Sequence, residues 1–565
     1  MPATLCDSRR QTGAGRLLDS PGAALEALVP DSLAAPAEAA WRAHARALCA
    51  ALGWPDPELG VRPFAGGLSL GVSAPLDALY AAAALNEAAW ERAWAEVSGE
   101  PASAFADDVA GIRAKRERDL GLVALDSAAR SRGVSMLWDD EAVTLGLGAG
   151  SRTWPAGALP DPAEVDWDAV RDVPTALVTG TNGKSTTVRM LAAMATAAGL
   201  VPGVSTTDYV AVGGDVVEAG DFSGPMGARA ALRDRRATVG ILEVARGGLL
   251  RRGVPVSRAD VACVTNVAAD HLGEYGVDTV EALAEAKFVV AKALRAGGRL
   301  VLNADDARSC AEHDRQAEAL AARGVAVCWT GLDPDHPRLA GAAVAGTVVE
   351  GHIAIRRADG AWTRLVDIAE APSTMGGAAL HNVRNAVCAA AAGAALGLPD
   401  AALAAGLRAF QGDAADNPGR ANVSAVRGAT VVVDYAHNAH GLAALVHLAG
   451  HFPARRRLLL LSCAGDRPDG DVREMARVGR GFGADRTLVA DLPGYLRGRA
   501  PGEVPALLAA ETVAFGGDAA QTEAYPDPAA ATAAALAWAA PGDVLLLVVL
   551  SHRDEVAALV REAGA

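Results

Sequence analysis

From Pro174 onward, short runs of Val, Leu and Ile alternate with Ala-rich stretches of helical periodicity. That alternation predicts βαβ units and a parallel sheet. In the middle of the chain each apolar run empties into a polar cluster. Thr175 to Thr179 leads into Gly-Thr-Asn-Gly-Lys-Ser-Thr, and Val239 to Leu242 leads into Glu243. Val261 to Thr265 leads into Asn-Val-Ala-Ala-Asp-His, and Leu300 to Leu302 into Asn-Ala-Asp-Asp. Doubly wound sheets bind ligands at the carboxyl ends of their strands, so the series predicts one shared site. A similar pattern closes the chain. Thr430 to Val433 leads to Asp434 and His437, Leu458 to Leu461 leads to Asp466 and Arg467, and a third run leads to the loop Asp491–Arg499.

The expected fold class is therefore α/β, in three parts. Residues 1–172 form a mixed α+β domain ending in a Pro/Asp-rich linker, with a strand or turn and an amphipathic helix between Gly66 and Val97. Residues 173–416 form a central parallel-sheet domain, and residues 417–565 a Rossmann-like α/β domain. Within the first part no catalytic constellation stands out; acceptor recognition and oligomerisation are both open roles for it. There is no short-period repeat.

Composition narrows the chemistry. The 565 residues are 51% hydrophobic and 21% charged, ordinary for a globular protein. A net charge of −15 argues against non-specific nucleic-acid binding. No apolar run approaches the roughly 20 residues of a membrane span, and the first residues lack an apolar signal core, so a cytoplasmic location is expected. The 7 cysteines stand singly, which argues against a disulfide framework or a zinc site and predicts small core residues. Small-molecule or peptide chemistry remains.

The most informative segment is Gly180-Thr181-Asn182-Gly183-Lys184-Ser185-Thr186, between a buried strand and a helix carrying Val188, Leu191 and Met194. Glycines let backbone N–H groups turn toward phosphate oxygens, and the helix N-terminus adds favourable partial charge. Lys184 would reach terminal phosphates and the Ser185 hydroxyl a Mg²⁺ ion. The generic loop pattern fails at one place, where Val178 replaces its first glycine.

The Gly-Thr-Asn-Gly-Lys-Ser variant resembles the loop of the Mur ligase family, which includes muramyl-peptide ligases, folylpolyglutamate synthases and the ligase half of cyanophycin synthetase. The likeness continues through the segments starting at Thr206, Leu242 and Val264, then Leu-Asn-Ala-Asp-Asp, His-Asn-Val-Arg-Asn, Asn-Pro-Gly-Arg and Val-Val-Asp-Tyr-Ala-His-Asn, over roughly residues 170 to 550. The resemblance implies ATP and Mg²⁺ as cofactors, with Gly180 to Thr186, Asn382, Asn385, Arg420, Asp434 and His437 at the nucleotide. It implies Ser185, Glu243 and His271 at metal, and Lys184, Glu243, His271 and Lys287 as catalytic groups. Many members carry a carbamylated lysine at the place of Lys287; a lysine on a solvated helix face is the other reading of that position. It implies Thr207, Asp208, Arg246, Arg251, Asp466 and Arg467 at the substrates. Arg246, Arg251 and Arg252 flank what reads as a Gly-Gly turn, and guanidinium groups fork onto carboxylates.

The implied activity activates a carboxylate as an acyl phosphate and couples it to an amino acid or amine, releasing ADP and phosphate. Partners are then a small-molecule or peptide carboxylate and an amine, without nucleic acid or membrane; a homo-oligomer is compatible. A folylpolyglutamate or poly-γ-glutamate type of ligase, a kinase whose product is the phosphate ester, and a non-catalytic nucleotide-binding subunit are the alternatives. The resemblance also implies that no complete ATP-grasp domain precedes the ligase portion, so one kind of ligation is expected. Leu492 to Tyr495 stand where acids would suit an incoming arginine.

Overall fold

A computed structural model describes residues 4–358 and 360–564. Four sheets organise them. The first is antiparallel, in the order Thr4–Gln11, Gly22–Leu28, Gly67–Ser73, Leu59–Phe64. Helices Asp31–Leu52 and Leu79–Ser98 pack on it around fully buried Trp41. The Trp41 indole N–H donates to Asn86 Oδ1 at 2.9 Å, and Asn86 donates to the Leu70 carbonyl at 3.0 Å, so this buried polar pair is satisfied. A small three-stranded sheet spanning Met136–Pro155 follows, backed by helix Leu120–Arg132. The Pro/Asp-rich stretch after it is not a free linker. Val165 and Val170 are buried against Leu125 and Leu145, because a segment with two apolar anchors gains more from packing than from solvation.

The central sheet has eleven strands, in the order Asp215–Ala219, Tyr209–Val212, Pro202–Ser205, Val239–Glu243, Thr175–Thr179, Ala259–Val264, Leu294–Asn303, Ala326–Thr330, Val344–Val349, His352–Arg357, Thr363–Asp367. The strands from Pro202–Ser205 to Val344–Val349 run parallel. At both edges the sheet turns antiparallel, since the connections 206–208, Gly213-Gly214 and Glu350-Gly351 are too short for a crossover helix and form hairpins. Thr175–Thr179 is buried at every position, as a strand covered on both faces must be.

Helices Lys184–Ala197 and Asp400–Ala409 cross tightly on one face. A Cβ at Gly406 would fall 2.4 Å from the Met194 Cα, so glycine is needed at the crossing. The last sheet runs Asn422–Val426, Ala429–Asp434, Val544–Val548, Arg457–Ser462, Arg486–Ala490, Thr522–Tyr525, parallel except for its first strand. Asn417 ties the connection between the two large sheets to the helix after the glycine-rich loop. Its Oδ1 accepts from Arg189 at 2.7 Å, and its Nδ2 donates to Thr186 Oγ1 at 3.1 Å. Cys49, Cys263, Cys328, Cys388 and Cys463 are buried and unbridged, Cys310 is half-buried and Cys6 exposed. No helix among the described residues is long and apolar enough to cross a membrane.

Gly406→Ala is expected to destabilise the fold by about 1–3 kcal/mol through overpacking at the crossing. Gly111→Ala, where a Cβ meets nothing within 4 Å inside helix Phe105–Ala114, is expected to stabilise by roughly 0.5–1 kcal/mol. Urea midpoints moving in the same direction for both variants would refute the packing argument.

Candidate active site

The glycine-rich loop leaves strand Thr175–Thr179 and enters helix Lys184–Ala197. Its curl is fixed by contacts that admit no side chain. Gly183 has φ +82°, and a Cβ there would lie 2.2 Å from Asn385 Oδ1. At Gly180 a Cβ would lie 1.9 Å from Thr265 Oγ1. The end of strand Ala259–Val264 braces the loop from the side. Thr181 N donates to the Asn266 carbonyl at 2.8 Å, and Asn182 N donates to Asn266 Oδ1 at 3.0 Å. The Thr265 hydroxyl donates to the Asn182 carbonyl at 2.7 Å, and Asn266 Nδ2 donates to it at 3.0 Å. Lys184 Nζ folds back onto the Thr181 carbonyl at 3.0 Å. The result is a braced concavity at a helix N-terminus, open where Gly180 and Gly183 carry no side chain, with Ser185 and Thr186 buried beneath it.

Glu243, buried at the end of its strand, accepts from the Thr207 hydroxyl at 2.6 Å and the Thr207 N–H at 3.2 Å. His271 sits at φ +50° in the next loop, its carbonyl accepting from Arg246 at 2.5 Å. Arg246 also pairs with Glu274. Burial pushes the His271 imidazole down to about 4; Asp270 opposes the shift, while Arg467 and Arg246 add to it. Asp270 is held well below the usual carboxylate range: burial opposes this, but the hydrogen bond and charge of His437, with Arg467 and His271, prevail.

Ligand atoms of Asp270, His271 and His437 lie within 4.8 Å of one another, and so do those of His271, Glu274 and Asp466. Glu243 belongs to neither group. Arg467, from the last sheet, donates to Asp270 at 2.7 Å and to His271 Nε2 at 3.0 Å.

Lys287, on helix Val280–Phe288, is only 3% exposed, which overturns the solvated-face reading of that position. Burial, reinforced by the charge of Lys184, pushes its ammonium down to about 7. Arg246 to Arg252 form a short helix and not a turn, because Gly247 and Gly248 take helical geometry where Ser223 and Gly224 pass close by.

On the opposite wall, Asn385 Nδ2 donates to Asn382 Oδ1 at 3.1 Å, and Asn382 donates to the Ser373 carbonyl at 2.9 Å. Asp434 accepts from Ala421 N at 2.7 Å, and burial pushes its carboxyl up to about 6 against the pull of Arg420. Asn182 donates to Asn438 Oδ1 at 3.1 Å, joining the loop directly to the last sheet.

One cleft of about 1660 Å³ is lined by Gly180 to Thr186, Thr207, Glu243, Arg246, Arg251, His271, Lys287, Asn382, Asn385, Arg420, Asp434, His437, Asp466 and Arg467. Asp208 is the exception among the expected site residues. It is not among the cleft-lining residues; its carboxylate takes Arg189 at 2.6 Å and Arg553 at 3.2 Å, with Arg420 at 4.0 Å, and of these Arg420 and Arg553 do line the cleft. Asp270, Asn266 and Asn417 were not singled out from sequence. Asp270 stood beside His271, but its partner Arg467 lies 197 residues away.

Comparisons with known proteins bear on the family and the fold. Residues 178–393 match the Mur ligase middle domain, and residues 419–548 the Mur ligase, glutamate ligase domain. The UDP-N-acetylmuramate--L-alanine ligase of Kineococcus radiotolerans is 33% identical over 379 residues, 65% of this chain and 70% of that protein. The chain belongs to the Mur ligase family. Within the family, the cyanophycin synthetase of Nostoc sp. is 38% identical over 300 residues, 53% of this chain. The chain spans about a third of the length of that relative (33%). Mycobacterium tuberculosis folylpolyglutamate synthase complexed with ADP shares the Mur ligase fold at TM-score 0.52 and 18% identity, covering 70% of this chain and 91% of that one.

A neutral buried amine takes up CO₂ to give a carbamate and a proton, and Lys287 meets that condition near pH 7. In ¹³C-bicarbonate at pH 7.5, wild-type protein is expected to show a carbamate resonance that Lys287→Met lacks. An identical spectrum from the variant would exclude this modification.

Proposed function

We propose that this Mur ligase joins a carboxylate to an amine at the expense of ATP, in the cleft between the central and last sheets. The observation that carries the reading is the braced Gly180–Ser185 concavity sharing one cleft with Glu243, His271, Lys287, Arg420 and Asp434. In this reading the triphosphate rests on the loop N–H groups with Lys184 at its end, and Arg420 and Asp434 hold the remainder of the nucleotide. Ser185 and Glu243 offer oxygen donors of the kind Mg²⁺ prefers, and His271, neutral at working pH, adds an imidazole. Bound magnesium supplies positive charge against the phosphate oxygens.

The acceptor carboxylate attacks the γ-phosphorus, giving an acyl phosphate and ADP; the amine then attacks the acyl carbon and phosphate leaves. An acyl phosphate hydrolyses if water enters, so the contacts that seat the last sheet on the site, Arg467 on Asp270 and Asn182 on Asn438, protect it. The amine enters from the last sheet, where Leu492, Tyr495 and Arg497 line the cleft. An apolar and cationic surface suits a neutral or acidic amino acid better than a cationic one.

Lys184→Ala is expected to lower ADP release at least about 100-fold with an unchanged melting temperature. Full activity in that variant would sink the assignment. ADP release is also expected to need acceptor and amine together; release with the acceptor alone at the same rate would point to a kinase. Arg467→Ala is expected to leave ADP formation measurable while uncoupling it from amide formation, read as phosphate released per amide made. Unchanged coupling would mean that this contact does not guard the intermediate.

A further inference from the structure

The floor of the cleft holds a thiol that the proposed reaction does not use. Cys388 lines it, one helical turn beyond Asn385 on helix Leu380–Ala395. Strand Ala259–Val264 packs against that helix. Its alternation sends Ala262 and Val264 into one core, and Val261 and Cys263 into the other, which also holds Cys388. There the Cys263 thiol hydrogen-bonds to the Cys388 sulfur. The Thr330 hydroxyl stands 3.3 Å from the same sulfur. Cys328 shares this face, but it lies across Val301, two strands from Cys263. That spacing is roughly 9–10 Å, more than a disulfide spans. The close pair is Cys263 and Cys388.

Both cysteines stand directly behind the contacts that shape the glycine-rich loop. Cys263 precedes Thr265, whose Oγ1 would lie 1.9 Å from a Cβ at Gly180. Cys388 follows Asn385, whose Oδ1 would lie 2.2 Å from a Cβ at Gly183. The loop thus fills the gap between the strand and the helix that carry the two thiols. Cys388 borders the cleft, while Cys263 lies wholly buried behind it. The hydrogen bond from Cys263 holds the Cys388 thiol below its ordinary value, against the effect of burial. The thiolate is the form that attacks oxidants, so Cys388 is the reactive member and Cys263 its resolving partner.

We propose that Cys263 and Cys388 are a redox-active pair, oxidised to a disulfide by a peroxide that enters through the cleft, and that this bond weakens nucleotide binding. The effect on nucleotide rests on the ligase reading of the cleft; the pair itself does not. The Cys388 sulfur attacks one peroxide oxygen. The O–O bond breaks, a sulfenic acid forms, and the other oxygen leaves as water with the thiol proton. The Cys263 sulfur then attacks the Cys388 sulfur. The S–O bond breaks, the S–S bond forms, and a second water leaves with the Cys263 proton. Two thiols are oxidised and one peroxide is reduced to two waters. Joining the sulfurs draws the Asn385 turn toward the end of the strand, and the loop between them has no room to spare.

The test treats the full-length chain with hydrogen peroxide, with and without saturating ADP, and digests it under non-reducing conditions for peptide mass mapping. Linked peptides holding Cys263 and Cys388 are expected, and they are expected to form more slowly when ADP covers the cleft. By calorimetry, ADP affinity is expected to fall at least about tenfold on oxidation, as when one hydrogen bond to a charged group is lost, and to return with dithiothreitol. Cys263→Ala and Cys388→Ala are each expected to keep their own affinity through the same treatment. Absence of the linked peptides in wild type, or a link through Cys328 or Cys310 in their place, overturns the pair without reliance on any variant. An ADP-independent rate overturns entry through the cleft. Linked protein that binds ADP as tightly as reduced protein overturns the effect on nucleotide, and so does a loss of affinity that persists in both variants. Linked peptides in a protein whose reduced form binds no ADP would fault the ligase reading and leave the pair standing.

Discussion

The seating of the Gly180–Ser185 loop against the end of the adjacent strand is the constraint on which the site depends. The loop touches Thr265 and Asn385 so closely that two of its residues can carry no side chain, and hydrogen bonds from Thr265 and Asn266 hold its carbonyls back. With its carbonyls occupied and its curl fixed, the loop presents a polarised helix end to an anion. Glu243 ends a strand beside the loop's own, His271 follows the strand on its other side, and helix Val280–Phe288 brings Lys287 to the same cleft, so the geometry follows largely from the strand order.

Much of this was legible in the sequence because parallel strands announce themselves by composition and release their polar residues at one edge. The glycine-rich loop, Glu243 and His271 sit at places the alternation of apolar and polar runs marks. The antiparallel edges were not legible in the same way, because Tyr209–Val212 and His352–Arg357 have the apolar character of their parallel neighbours and differ only in the length of the connections. Nor was the fate of Asp208. It belongs to a segment whose neighbour, Thr207, lines the cleft, while its own carboxylate is taken up by Arg189 and Arg553 from distant parts of the chain. Lys287 shows the same limit from the other side, since helical periodicity in a nine-residue, Ala-rich segment does not say which face is covered. Long-range pairing decides these cases, and periodicity carries no record of it.

Electrostatics divides the cleft into regions of different character. Around Asp270 opposite charges are matched closely, with His437 and Arg467 from the last sheet satisfying an acid of the central one. At Lys287 burial, with the charge of Lys184 adding to it, lowers the ammonium to about 7. Beyond Arg246, Arg251 and Arg252 form no ion pair among the described residues.

The three guanidiniums around Asp208 come from different bodies: Arg189 from the central sheet's helix, Arg420 from the connection, and Arg553 from the last sheet. Arg189 alone already neutralises this carboxylate, so Arg553 adds a contact that acts only at bonding distance, as a latch and not as a long-range attraction.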